Sequence, residues 1–371
     1  SCHDPHASSQ PKLLAAAGNA LCTECHADQG RKFSIEHAAV GQGDGCLSCH
    51  EAHAAPHDGL LAQQSTELCF GCHETTRGEL NVAEPHEPFT AGMCESCHDP
   101  HGAETKGLLR NRTDKVCYDC HADAELAYAK SHTHRPVLTG ACGSCHVAHG
   151  SDRAGLLAGE PSALCRECHA DHRADPTMLT VHAPFGSDDC LSCHDPHAAD
   201  HAGMITAAET QLCAECHGDV AASGASGGSR HRPVVDGRCS DCHEPHQSKL
   251  EGLLLASSPE LCLACHEPMA QAMETQRVHS PAARDCMRCH EAHAADQTSL
   301  LTRQLQPLCA ECHDVDDPEF SSAHLGIDPG IINCNQCHSP HYSVDQKLFQ
   351  ARVHAPFGSG DCAECHVVNE P

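Results

Sequence analysis

Cys-x-x-Cys-His recurs fifteen times in this chain and uses thirty of its thirty-one cysteines. Two thiols three positions apart on a helical turn can each bond a vinyl group of one porphyrin, and the adjoining imidazole then reaches the iron. This is the spacing of c-type haem attachment. The copies are Cys22-x-x-Cys25-His26, Cys46-x-x-Cys49-His50, Cys69-x-x-Cys72-His73, Cys94-x-x-Cys97-His98, Cys117-x-x-Cys120-His121, Cys142-x-x-Cys145-His146, Cys165-x-x-Cys168-His169, Cys190-x-x-Cys193-His194, Cys213-x-x-Cys216-His217, Cys239-x-x-Cys242-His243, Cys262-x-x-Cys265-His266, Cys286-x-x-Cys289-His290, Cys309-x-x-Cys312-His313, Cys334-x-x-Cys337-His338 and Cys362-x-x-Cys365-His366. Cys2-His3 is the back half of a sixteenth copy. A zinc site would pair such motifs at roughly constant spacing and has no use for a histidine directly after the second cysteine. A disulfide framework would leave one cysteine over and does not call for the histidine either. The cofactor expected is haem c at fifteen complete sites, with a sixteenth at Cys2-His3 dependent on what precedes it.

Successive first cysteines lie 23 to 28 residues apart in an alternating rhythm, so the repeat is about 48 residues with two unlike sites. An A site carries a further histidine three positions on: His6, His53, His101, His149, His197, His246, His293 and His341. Upstream of A sites stand His37, His86, His134, His182, His231, His279, His324 and His354, several followed by x-Pro. A B site, such as Cys165 to His169, has neither. Of 36 histidines, sixteen are proximal, eight trail and eight lead, so spare imidazoles equal haem sites and every iron can be bis-histidine. The remaining four, His57, His132, His172 and His201, recur at no fixed position and read as solvated surface.

The irregular end of the chain suggests an assignment. A B site is dropped between Cys334 and Cys362, and position 369, where the last trailing histidine would stand, is Asn. If each trailing histidine serves the preceding B haem, all seven B haems are supplied: His53 goes with Cys22, His101 with Cys69, and so on to His341 with Cys309. The upstream histidine then serves its own A haem. A rival scheme sends it back to the previous A haem and leaves the terminal haem to another subunit. His6 would serve a haem before residue 1, which suggests that something is missing there.

The elements that must position these sites are short. Ser258-Pro259 before Cys262, Thr66 before Cys69 and Ser162 before Cys165 look like helix starts at B sites. Apolar pairs between A and B sites, Leu60-Leu61, Leu108-Leu109, Leu156-Leu157, Met204-Ile205, Leu253-Leu254 and Leu300-Leu301, are expected to pack between porphyrins. The fold expected is mostly irregular, with short α-helices at the haem motifs, little or no β-structure, and an elongated repeat array around a chain of haems. It divides into 1–21, a truncated A site and linker; 22–333, the tandem two-haem repeats; and 334–371, a C-terminal cap with two A-type sites.

Composition agrees. No Trp, three Tyr and seven Phe in 371 residues cannot fill two or three ordinary cores. With about one haem per 25 residues, the cofactors are expected to be the core. The formal charge of −28 disfavours nucleic acid and anionic lipid and favours cationic partners. No apolar run approaches a membrane span. Haem attachment outside the cytoplasm implies that an export signal was removed, and a periplasmic or extracellular location.

The paired sites, with His-x-Pro ahead and Cys-x-x-Cys-His-x-x-His at A sites, resemble the doubled-CxxCH multihaem c-type cytochromes. These include decahaem proteins that sit in outer-membrane porins, and extracellular cytochrome filaments are similar in chemistry. The resemblance implies a near-linear haem wire. Two strong axial ligands per iron leave substrate no open position, the chain has no Cys-x-x-Cys-Lys variant, and its six Met recur at no ligand position, so low potentials are expected. The expected function is long-range electron transfer, as an extracellular wire or filament, with a porin-associated or periplasmic conduit as the alternative and an oxidoreductase subunit behind both. Expected partners are other redox proteins, further copies end to end, or an outer-membrane porin.

Overall fold

The computed structural model describes residues 1–222, 228–352 and 354. One helical turn runs through each haem motif. At B sites it is a short α-helix, as in Ser65–Phe70, Thr113–Tyr118, Pro161–Cys168 and Leu305–Ala310. At most A sites it is a single 3-10 turn, as in Cys142–Ser144 and Cys286–Arg288. In all fourteen complete motifs described, the backbone N–H of the histidine donates to the carbonyl of the first cysteine, at 2.8 to 3.1 Å. That bond closes the turn and turns the two thiols and the imidazole to one side.

After each A motif the chain folds straight back. His50 bridges Leu61, and the same bridge joins His98 to Leu109, His146 to Leu157, His194 to Ile205, His243 to Leu254 and His290 to Leu301. The turn at its tip uses two left-handed residues, Gly59 (φ 67°) and then Leu60 (φ 55°). A leucine there costs on the order of 1–3 kcal/mol and persists because the hairpin over-determines it. The bonds responsible run from Glu51 N–H to Leu60 O at 2.8 Å and from Ala62 N–H to Cys49 O at 2.9 Å. The apolar pair is therefore first a backbone clip on the proximal histidine.

The helix starts differ from expectation. Thr66 and Ser162 lie inside their helices, which begin at Ser65 and Pro161. Ser258 lies before the N-cap residue Pro259 of the helix Glu260–Leu263 and caps nothing; its Oγ accepts the backbone N–H of Cys286 at 2.9 Å. Asn19 Oδ1 does the same for Cys46 N–H, at 2.9 Å. These polar side chains tie a B-site helix to the following A site, a use that local capping logic does not anticipate.

Strand structure among the described residues consists of two-residue antiparallel ladders and single bridges. The chain forms two compact units. The unit Ser1–His172 with Cys190–Thr206 holds three ladders: Ile35–Glu36 with Gly102–Ala103, Glu84–Pro85 with Gly150–Ser151, and His132–Thr133 with Ala198–Ala199. The unit Arg173–Asp189 with Ala207–Pro371 holds Thr180–Val181 with Gln247–Ser248, Ser229–Arg230 with Ala294–Ala295, and Arg277–Val278 with Tyr342–Ser343. Small residues allow the close approach. A Cβ on Gly102 would stand 2.6 Å from the Phe33 ring and 3.0 Å from Ile35 O.

The polypeptide has almost no core of its own. Phe70, Phe89, Ala103, Ala198 and Ala199 are the buried apolar residues, and no large side chain is fully buried among those described. Its accessible surface is 24987 Å², against about 14,000 Å² for a folded protein of this mass. Ladders, clips and helical turns thus set the frame, and the apolar filling must come from the groups they hold.

Candidate haem-binding sites

Two imidazoles on opposite faces of one iron need ring centroids about 6 Å apart, the sum of two metal–nitrogen bonds of about 2 Å and two ring radii. Such a partner faces the proximal histidine in the following described pairs. At A sites the pairs are His3 with His53 (6.1 Å), His50 with His101 (6.2 Å), His98 with His149 (6.1 Å), His146 with His197 (6.0 Å), His243 with His293 (5.9 Å) and His290 with His341 (5.9 Å). At B sites they are His73 with His37 (6.0 Å), His121 with His86 (6.2 Å), His169 with His134 (6.1 Å), His217 with His182 (6.2 Å), His266 with His231 (6.2 Å) and His313 with His279 (6.1 Å). The residues present fit the group that the sequence calls for.

The pairing corrects the expectation from counting. A trailing histidine faces the proximal histidine of the previous A site: His53 faces His3, not His26, and His101 faces His50, not His73. An upstream histidine faces the following B site, not its own A site. Both schemes balance ligands against sites, so arithmetic could not separate them. The ladders do. His37 directly follows Ile35–Glu36, and His101 directly precedes Gly102–Ala103, and these strands pair. The same bond then recurs: His37 N–H to His101 O (3.3 Å), His86 to His149 (2.9 Å), His134 to His197 (2.9 Å), His231 to His293 (3.0 Å) and His279 to His341 (2.9 Å). Each of these ladders delivers two distal imidazoles to the A and B sites of one repeat.

Near the C-terminal end the rule changes. Where the sequence drops a B site, His324 loses its client, and the A site at Cys334 loses the trailing histidine that Asn369 replaces. The two left over meet: His324 faces His338 at 6.3 Å, with ring planes 59° apart. Here alone among the described pairs does an upstream histidine serve its own A site, as the sequence expectation had it for all. Phe320 stacks on His324 at 4.0 Å, and Phe349 on His338 at 5.0 Å.

Ring nitrogens are assigned by their partners. The proximal A-site histidines place Nδ1 against the turn carbonyl nine residues on: His50 on Gly59 O, His98 on Gly107 O, His146 on Gly155 O and His243 on Gly252 O, each at 2.7 Å, and His194 on Gly203 O at 2.8 Å. Upstream histidines do likewise across the ladder, His86 on Ala148 O at 2.7 Å and His37 on Pro100 O at 2.8 Å. A carbonyl can only accept, so Nδ1 carries the proton and Nε2 keeps its lone pair for a metal. This is what the strained left-handed turn achieves. Burial holds the His197, His293 and His341 imidazoles below the ordinary histidine value, hence neutral, the form that ligates.

The thiols meet in alternation. The first cysteine of a B site lies beside the first cysteine of the next A site: Cys22 by Cys46, Cys69 by Cys94, Cys117 by Cys142, Cys165 by Cys190, Cys262 by Cys286 and Cys309 by Cys334. The second cysteine of an A site lies near the second of the following B site: Cys49 near Cys72, Cys97 near Cys120, Cys145 near Cys168, Cys242 near Cys265 and Cys289 near Cys312. Burial, then the neighbouring thiol, pushes Cys117, Cys262 and Cys309 up to about 11, so the unattached thiols stay protonated.

Other expected residues fall as follows. His6 and His26 have no facing imidazole among the described residues. His246 packs on Phe185 at 5.0 Å, with Glu244 3.2 Å from its Nδ1. His354 is exposed, and Cys362, Cys365 and His366 lie outside the described residues. Of the four histidines taken as surface, His172 departs: its ring lies 5.8 Å from that of His169. The sequence reading also missed Asn19, the turn carbonyls and Glu79, whose carboxylate bonds His149 Nδ1 at 2.7 Å. The signal for Glu79 was available as a departure. An acid stands two residues before six of the eight trailing histidines, and Val147 stands there instead at His149.

No helix among the described residues is long and apolar enough to cross a membrane. No curated protein matches the chain. The family model described as the doubled CXXCH motif matches residues 1–31, 37–78, 86–126, 134–174, 182–222, 231–271 and 279–318, well over half the chain. Seven doubled repeats carry about fourteen haem c sites, and with paired imidazoles at their proximal histidines this chain belongs to the doubled CXXCH family and is a multihaem c-type cytochrome, an electron-transfer protein.

Proposed function

We propose that the protein relays electrons over long distances through fifteen c-type haems in sequence order, bis-histidine wherever two imidazoles face each other, with no site for substrate, as an extracellular wire whose copies join end to end. The observation that carries the reading is the alternation of thiols. Five A sites meet the following B site through second cysteines, and six meet the preceding B site through first cysteines. Because each cysteine marks a porphyrin edge, the chain sets successive haems edge to edge. The haems supply one-electron chemistry at iron. The residues supply order, spacing and, at each paired site, two nitrogen ligands, which close the iron to exogenous ligands and keep potentials low. The formal charge of −28 suits an exposed, soluble surface and cationic donors or acceptors.

The test is made on the native haem-loaded protein. Mass spectrometry is expected to show fifteen haems on this stretch of chain, and the reduced protein to bind little carbon monoxide. Stoichiometric carbon monoxide binding without mutation would favour an enzyme. Electron microscopy separates end-to-end filaments, which the reading expects, from single molecules, which would favour a periplasmic or porin-held conduit.

A further inference from the structure

We propose that Glu79 is a positioning residue that sets the haem at Cys94–Cys97 apart from the other A-site haems, as the lowest in potential within its unit. The inference rests on the reading above, in that His98 and His149 are taken as the two ligands of one iron.

At six of the other seven A sites with a trailing histidine an acid stands two residues before it, and at His341 that position is Ser339. Asp4, Asp99 and Asp195 accept from the histidine's own backbone, and Glu244 stands 3.4 Å from the His246 backbone N and 3.2 Å from its Nδ1. Asp99 Oδ1 accepts the His101 N–H at 3.0 Å and stands 3.5 Å from its Nδ1. Asp195 accepts the His197 N–H at 2.9 Å and stands 3.8 Å from Nδ1. Asp4 holds His6 in the same way, at 3.0 and 3.9 Å. At His149 that position is Val147, and the carboxylate comes instead from Glu79, seventy residues away, with Oε2 2.7 Å from Nδ1. It is the shortest of these contacts and points at the ring rather than the backbone.

The fold holds Glu79 there. It opens the turn Glu79–Asn81, which leads directly into the strand Glu84–Pro85, and that strand pairs with Gly150–Ser151 next to His149. Ala83 N–H is fastened to Asp152 at 3.0 Å, and Phe89 stacks on the His149 ring at 4.6 Å. The consequence shows in the ring. His98 and His149 are tilted by 47°, whereas five further A-site pairs described with a trailing histidine lie within 6 to 25°.

Two effects follow for an iron held by this pair. A carboxylate accepting Nδ1–H draws the proton away and makes Nε2 a stronger donor, and its charge also favours the ferric state; both lower the potential. The angle between the imidazole planes fixes how the iron d orbitals split, so this haem should give a low-spin signal distinct from its neighbours.

The experiment is a redox titration followed by electron paramagnetic resonance of the haem-loaded protein, comparing parent, Glu79→Gln, the double variant Glu79→Gln with Val147→Asp, and Glu74→Gln as a control for an exposed charge of the same unit. Glu79→Gln is expected to raise the potential of one haem and move its low-spin signal, more than Glu74→Gln moves any haem. Adding Val147→Asp, which recreates the usual local acid, is expected to bring that potential part of the way back. Identical titrations and spectra for Glu79→Gln and the parent would overturn the proposal. His149→Ala separates this from the underlying reading: one high-spin haem at Cys94 upholds the pairing, whereas a high-spin haem at Cys117, or at any other site, overturns both.

Discussion

The ladder-linked repeats and the stretch around Cys334 solve one problem in two ways. In the repeats, the imidazole facing His50 at the Cys46 site is His101 from the next repeat, and the one facing His73 at the Cys69 site is His37, on the other side of a two-residue ladder. Around Cys334, His324 comes from the helix Pro318–Ala323 that ends just before it, with Nδ1 on Phe320 O at 2.8 Å. The first arrangement makes each repeat depend on its neighbour, so ligation and folding propagate together as in other repeat arrays. The second is local and closes the series. Its ring planes stand 59° apart, against 6° at His50 and His101, so the two regions should differ in spectrum as well as in cooperativity.

The largest effect on this contrast is expected from Gly102→Val. The added side chain would meet Phe33 and Ile35, at a cost of about 1–3 kcal/mol, and the ladder that carries both His37 and His101 would part. Two haems, at Cys46 and Cys69, should become high-spin together and bind carbon monoxide when reduced. A single high-spin haem would mean the two distal ligands are held independently. Next is His324→Ala, which should open the haem at Cys334 alone and leave every ladder-held site low-spin; loss at a second site would show that the end of the chain is not local. The smallest effect is Ser258→Ala, which removes the acceptor for Cys286 N–H. It should cost about 1 kcal/mol in denaturant melting of the loaded protein with unchanged spectra, and a changed spectrum would give Ser258 a role at the haem itself.

Much of this was legible in the sequence, for reasons that also mark the limit. Cys-x-x-Cys-His states its own chemistry, and the near absence of large side chains foretold the thin core. The histidines at both flanks of A sites were identifiable as ligands because they recur in register. Which iron they serve was not, because moving each upstream histidine from its own A site to the following B site, as His37 from Cys46 to Cys69, leaves the number of ligands unchanged. The deciding element, Ile35–Glu36 on Gly102–Ala103, is two residues long and leaves no periodicity to read. Likewise Ser258 and Asn19 look like local helix caps in sequence, and only the long-range contact shows what their oxygens accept. The left-handed Leu60 was hidden because leucine rarely adopts that conformation, and the Gly before it was the one visible hint.

The central claim is that each ladder supplies the distal ligands of both haems of one repeat. A cryo-electron microscopy map of the haem-loaded protein tests it most directly. The account requires His101 on the iron held by Cys46 and Cys49, and His37 on the iron held by Cys69 and Cys72. His101 on the Cys69 iron, with His37 on that of Cys46, would contradict it.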